Sequence, residues 1–318
     1  MSLDTVPFFT RLAGVRRVLI AGAGGGHDVY AGLPVALTLM ERGVAVTFAN
    51  LTFSPLTEPG LDWMAPGLAR VHPDLEPDGP YFPELRLSRW LRSRDRDAEV
   101  YALEKTGVRP LTRAYRQLVE ALGGVDAVVL VDGGTDILMR GDEAGLGTPG
   151  EDLASVAAVA ALPEAVIKLV LSIGFGVDTY HGVCHAHVLE NLAALSRDGG
   201  YLGAFSVPGD SPEGLAFLDA VNDAAAVIPE RASIPSGSIA AAVRGEAGHV
   251  ATGARELKGE VFVNPLMALY FAVELDVLVR HCLYMDLIGP TETAWQVHAV
   301  IEGFRKTISL RPRRALPF

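Results

Sequence analysis

The stretch Arg17-Val-Leu-Ile-Ala-Gly22, running straight into Ala23-Gly-Gly-Gly-His-Asp28, decides the reading of this 318-residue chain. An apolar run that stops abruptly in glycines is the pattern of a buried parallel strand delivering the chain to a ligand loop. A helix is predicted from about Leu33 to Arg42, with Pro34 tolerated in its first turn and Gly43 closing it. Val44 to Asn50 then reads as the next strand. A strand–loop–helix–strand unit implies parallel pairing through a right-handed crossover.

The ending recurs. Val128-Val-Leu-Val runs into Asp132-Gly-Gly-Thr-Asp136, and Leu169-Val-Leu-Ser-Ile into Gly174-Phe-Gly-Val-Asp178. Helices are predicted near Leu111–Leu122, Asp152–Ala161 and His185–Leu195, with a further strand over Gly199–Phe205. The expected fold is therefore α/β: a Rossmann-like open, mostly parallel sheet with helices on both faces, forming one domain over residues 1–318. In such a sheet the three loops share one edge, where ligands bind.

Glycine there lets backbone approach a ligand and leaves N–H groups for an anion. The expected phosphate or cofactor loops contain Gly22, Gly24, Gly25, Gly26 and Asp28, then Gly133 and Gly134, then Gly145, Gly147 and Thr148. Carboxylates at the same edge would repel an anion unless Mg²⁺ bridges the two, which makes Asp132 and Asp136 the expected magnesium ligands. Alternatively the aspartates bond sugar hydroxyls or an amine, or cap helices and turns. Acid and flexible backbone are densest from Asp132 to Asp152. Asp132, Asp136 and Asp142 are the expected catalytic residues, with Glu143, Asp178 and Ser236 as secondary or substrate-facing groups. Ser233, Ser236 and Ser238 also suit a helix cap, and Asn264-Pro265 reads as the cap of a helix over Leu266–Ala272.

An NAD site is less expected. A third glycine spaced for the dinucleotide fingerprint would fall at His27 or Val29, and the second strand ends in Asn50 rather than an acid. A Walker A loop is absent. His181, Cys184, His185 and His187 do not follow a standard zinc spacing.

Residues 54–96 differ in character. Prolines at 55, 59, 66, 73, 77, 80 and 83 argue against long regular elements, and Arg86, Arg89, Arg92, Arg94 and Arg96 surround Trp90. This is an insertion or lid, its arginines either a solvated face or a cover for the site. After Pro229, short helices and a strand near Val261–Val263 are expected.

The totals bound the partners. A net charge of -11 disfavours nucleic acid and anionic lipid, and 49% hydrophobic residues support a large core. Two cysteines fit a reducing, cytoplasmic setting. Neither a signal peptide nor a membrane span is expected, so the expected partner is a small molecule. Assembly into a homo-oligomer is compatible with the composition.

The loop Gly24-Gly-Gly-His-Asp28-Val with Gly32-Leu-Pro34, then Gly107-Val-Arg-Pro-Leu111, Asp132-Gly-Gly-Thr-Asp136 and Gly141-Asp-Glu-Ala-Gly-Leu-Gly-Thr-Pro149, resembles a prokaryotic family, domain of unknown function 1152. Asn264-Pro-Leu-Met267 also resembles its C-terminal part. The third loop departs from the family pattern, with Asp178-Thr-Tyr in place of Asp-Gly-Glu. The resemblance covers most of the chain and implies no particular chemistry. Three functions remain in view: Mg²⁺-assisted group transfer on a nucleotide or phosphorylated metabolite, a nicotinamide- or flavin-dependent oxidoreductase with a variant loop, and a non-catalytic ligand sensor.

Overall fold

A strand covered on both faces must be apolar at every position, and three segments of this chain satisfy that along almost their whole length. They form the centre of one open sheet in the computed structural model, which describes residues 5–58, 60–250 and 261–315. Among the described residues the strands are β1 (Arg17–Gly22), β2 (Ala45–Thr52), β3 (Asp62–Ala65), β4 (Leu68–Arg70), β5 (Val100–Glu104), β6 (Ala127–Asp132), β7 (Ile167–Ser172), β8 (Tyr201–Ser206) and β9 (Leu269–Glu274). Their spatial order is β3-β4-β5-β2-β1-β6-β7-β9-β8. The core β5-β2-β1-β6-β7 is parallel, and antiparallel strands complete each edge.

The chain leaves β1 in one direction to build β2 and β5, then returns to the other side of β1 to build β6 and β7. Strand order therefore reverses between β1 and β6, and a crevice opens at their carboxyl ends. Register puts Gly22 opposite Val131 and Asp132 opposite Ser172, so the loops after β1, β6 and β7 leave the sheet at one level.

Side chains of successive strand residues point to opposite faces, which builds two cores. Leu19, Ala21, Leu51, Leu130 and Val170 pack with the helices Val108–Ala121, Pro149–Ala160 and His185–Arg197. Val18, Ile20, Phe48, Val129 and Leu171 pack with the helices Leu33–Glu41, Pro83–Ser93, Pro212–Val227 and Ile234–Val243. No helix among the described residues is long and apolar enough to cross a membrane.

Two expectations change. Asn264 does cap, accepting the Leu266 N–H, but only a 3₁₀ turn over Pro265–Ala268 follows before the chain enters β9. Leu269-Tyr-Phe-Ala-Val is aromatic and apolar throughout, and it is buried between β7 and β8, where ladder pairing overrides helix formation. Near Val261–Val263, among the described residues, there is an isolated bridge from Val263 to Gly248 in place of a strand.

Segment 54–96 holds more regular structure than its prolines suggest. It contributes β3, β4 and an eleven-residue helix that starts with Pro83, the last of those prolines, at its first position. Arg89 pairs with Glu76, Arg92 with Asp74, Arg94 with Asp219 and Arg96 with Glu41. The first two pairs lie within the segment, and the last two tie it to the helices Pro212–Val227 and Leu33–Glu41.

Candidate functional site

Five aspartates reach the crevice from three loops. Asp28 opens the short helix after β1, Asp132 ends β6, and Asp136 starts the following 3₁₀ turn. Asp152 sits in the first turn of the helix Pro149–Ala160, and Asp178 lies in the 3₁₀ turn after β7. Asp28 is partly buried and the other four are buried.

The loops bend so that backbone donors face the carboxylates, both within a loop and from one loop to the next. Asp28 Oδ2 accepts the Gly24 N–H at 2.8 Å and Oδ1 the Gly133 N–H at 3.3 Å. Asp178 accepts from the Thr135 N–H at 2.6 Å, and Asp136 from the Thr148 N–H at 2.7 Å and its hydroxyl at 3.1 Å. Asp132 accepts the Ile137 N–H at 3.3 Å. The expected anion cradle is thus partly spent: Gly24 and Gly133 donate to Asp28, and the Thr148 N–H donates to Asp136. These glycine loops orient carboxylates.

Close approach explains why glycine stands where it does. A Cβ on Gly24 would lie 2.6 Å from Asp152 Oδ1 and 2.8 Å from Asp28 Oδ2. The next residue, Gly25, has φ +96°, a conformation L side chains rarely adopt, and a Cβ there would lie 2.8 Å from the Phe53 ring.

Oxygen atoms of Asp28, Asp132 and Asp152 all lie within 4.8 Å of one another. Asp152 Oδ1 is buried and makes no hydrogen bond among the described residues. A buried carboxylate oxygen without a donor is costly, and an all-oxygen set of this kind suits a hard divalent cation such as Mg²⁺. Burial pushes Asp28 up to about 7, with the charge of Asp136 adding to the effect and the N–H bonds opposing it. Asp132, Asp152 and Asp178 are raised well above the carboxylate range, first by burial and then by one another and by Asp136. Asp136 is raised by burial against the pull of its Thr148 donors. A cation would relieve this mutual repulsion.

Behind the first loop lies a second polar arrangement. Asn50 donates to the Gly26 carbonyl at 2.9 Å and to Glu84 Oε1 at 2.7 Å, and both side chains are fully buried. Burial raises Glu84 to about 7. Its Oε2, like Asn50 Oδ1, has no hydrogen-bond partner among the described residues. Beside this pair, burial lowers the pKa of His27 to about 4, so its ring is neutral at physiological pH.

The other expected residues fall elsewhere. Asp142 meets Arg311 at 2.9 Å. Fully buried Glu143 accepts from the Arg140 and Gly141 N–H groups, Asn191 and Arg311. That arrangement ties the C-terminal segment to the 140s loop and is not part of the aspartate triad. Gly145 packs on Gly182, and Gly147 lies against Asp136. Cys184 and His187 bond the Arg314 and Pro312 carbonyls. The described residues show no metal-ligating cluster of histidines or cysteines.

Residues 83–306 match the family model described as a protein of unknown function, DUF1152. The chain belongs to this family. No curated protein matches it. The DUF1152 match takes in Asp132, Asp136, Asp152 and Asp178, whereas Asp28 and its glycine loop precede it. Two residues of the triad were not among the expected metal ligands. The sequence pattern places Asp28 in a phosphate loop and Asp152 among the acids of a crowded segment. The available signal was position: Asp152 follows Thr148-Pro149 into a helix that starts at the ligand edge.

Proposed function

We propose that this DUF1152 protein is a Mg²⁺-dependent enzyme that binds a phosphorylated small metabolite or nucleotide and assists group transfer at the β1–β6 crevice. The observation that carries this reading is the Asp28–Asp132–Asp152 triad with its undonated Asp152 oxygen. These side chains would hold the cation, and phosphate oxygens would complete its shell. The cation would supply charge neutralisation on the transferred group. Asp136 and Asp178, held by backbone donors, would keep the loops in place around it.

A dinucleotide-dependent oxidoreductase is less well supported. At the β2 position where such enzymes offer an acid to a ribose, Asn50 is fully buried and already donates to Gly26 and Glu84. Thermal unfolding of the full chain with Mg²⁺ and a panel of phosphosugars, phosphorylated acids and nucleotides tests the proposal. Stabilisation that needs both Mg²⁺ and ligand, and disappears in Asp132→Asn, is expected. No shift with any phosphorylated ligand would contradict it.

A further inference from the structure

Beside the triad, on the face of the sheet that carries the helix Ile234–Val243, lies a pocket of about 80 Å³. His27, Tyr30, Ser236 and Arg244 line it among small apolar residues. It adjoins the cation site by two routes. His27 precedes Asp28 in the chain. Gly133, a donor to Asp28, abuts Pro235, which precedes Ser236.

Tyr30 donates to the Pro83 carbonyl, but two polar groups of this pocket, the Ser236 hydroxyl and the His27 ring, are left without partners among the described residues. Ser236 is 7% exposed, and Ser233 caps the helix by accepting its N–H. The Ser236 hydroxyl itself has no partner among the described residues. The His27 ring touches Tyr30 and Tyr81 but makes no hydrogen bond among the described residues. Arg244 meets Glu246 at 2.5 Å in a half-exposed pair. Such surface pairs are weak enough for a bound anion to displace. A buried hydroxyl and an imidazole without partners, with a guanidinium at the same wall, suit a carboxylate.

Size discriminates between ligand classes. Sites for drug-sized ligands run to roughly 300–1,000 Å³, so this pocket is too small for a nucleobase with its ribose. From these observations we infer that the pocket is the far-end subsite of the proposed cation site. It takes the carboxylate end of a short, acyclic phosphorylated acid, whose phosphate meets the triad-bound cation. This rests on the function proposed above and narrows its ligand from nucleotides to small doubly anionic metabolites.

Isothermal titration of the full chain in Mg²⁺ with 3-phosphoglycerate, glycerol 3-phosphate and ATP tests it, on the wild type and on Ser236→Ala, Arg244→Gln and Asp152→Asn. The expected order is 3-phosphoglycerate tightest, with glycerol 3-phosphate about tenfold weaker for want of the carboxylate. Ser236→Ala and Arg244→Gln should each weaken 3-phosphoglycerate about tenfold and leave glycerol 3-phosphate within about twofold. Tighter binding of ATP than of 3-phosphoglycerate would overturn the inference, as would wild-type affinities in both pocket variants or no binding of either small probe. Asp152→Asn separates the two claims. If it binds like the wild type while the pocket variants do not, the cation reading fails and the carboxylate subsite stands. Loss in Asp152→Asn with intact pocket variants fails the subsite alone.

Discussion

Two groups of acids, each built around buried carboxylates, have opposite surroundings. Around Glu143, Arg311 meets Asp142, Glu143 and Glu190, Arg140 also meets Asp142 and Arg314 also meets Glu190, while Asn191 and two backbone N–H groups supply further donors. At the crevice, Asp28, Asp132 and Asp152 converge, no ion pair among the described residues reaches them, and one oxygen lacks any donor. The first group is internally neutralised and acts as a fastening. The second is left with excess negative charge, which is stable only if protonated or paired with a cation from outside. Acid content alone does not mark a site; the absence of an internal counter-charge does.

The largest effect expected from this contrast is in the fastening. Arg311→Met strands Glu143 in the interior, and removing one partner of a buried ion pair costs about 3–5 kcal/mol. Urea unfolding measures it, and a loss under about 1 kcal/mol would show that Arg311 is no more than a surface partner.

Glu84 supplies a pH-dependent comparison, because it is fully buried outside the triad and no ion pair among the described residues reaches it. A carboxyl raised on folding holds its proton more tightly in the native state. Its contribution is greatest below the unfolded value near 4.5 and declines as pH rises to about 7. The size of that decline is roughly 3 kcal/mol. Glu84→Gln should remove it, so the variant gains on the wild type between pH 4.5 and 7.5 in parallel urea titrations. Identical pH slopes would mean Glu84 ionises as freely in the folded chain as in the unfolded one.

The smallest effect has the opposite sign to the first. Without divalent cations, Asp152→Asn should leave stability unchanged or raise it by about 1 kcal/mol, because it relieves like-charge repulsion. A clear loss of stability would place an unseen counter-charge at the triad and dissolve the contrast.

Much of this molecule is legible in its sequence. The parallel core follows from apolar runs such as Val18–Ala21 and Val128–Val131 that end at glycine, because burial on both faces demands them. The loops carrying the triad follow from the same endings. The edges are less legible: β3 and β4 are short and partly exposed, and Leu269–Glu274 follows a helix-type cap while being a strand by virtue of its neighbours. The division of the acids is not local at all. Asp142 and Asp152 look alike in the chain, and what separates them is Arg311, 169 residues beyond Asp142. Pairing over that distance is set by packing, and no short-range pattern encodes it.

The central claim is that the triad binds a divalent cation, and calorimetric titration of the metal-free full chain with Mn²⁺ at neutral pH tests it most directly. The account predicts saturable binding of a cation in the wild type, lost or weakened at least tenfold in Asp152→Asn, with Asp142→Asn binding as the wild type does. Equal Mn²⁺ binding by the wild type and Asp152→Asn, or none by the wild type, would contradict it.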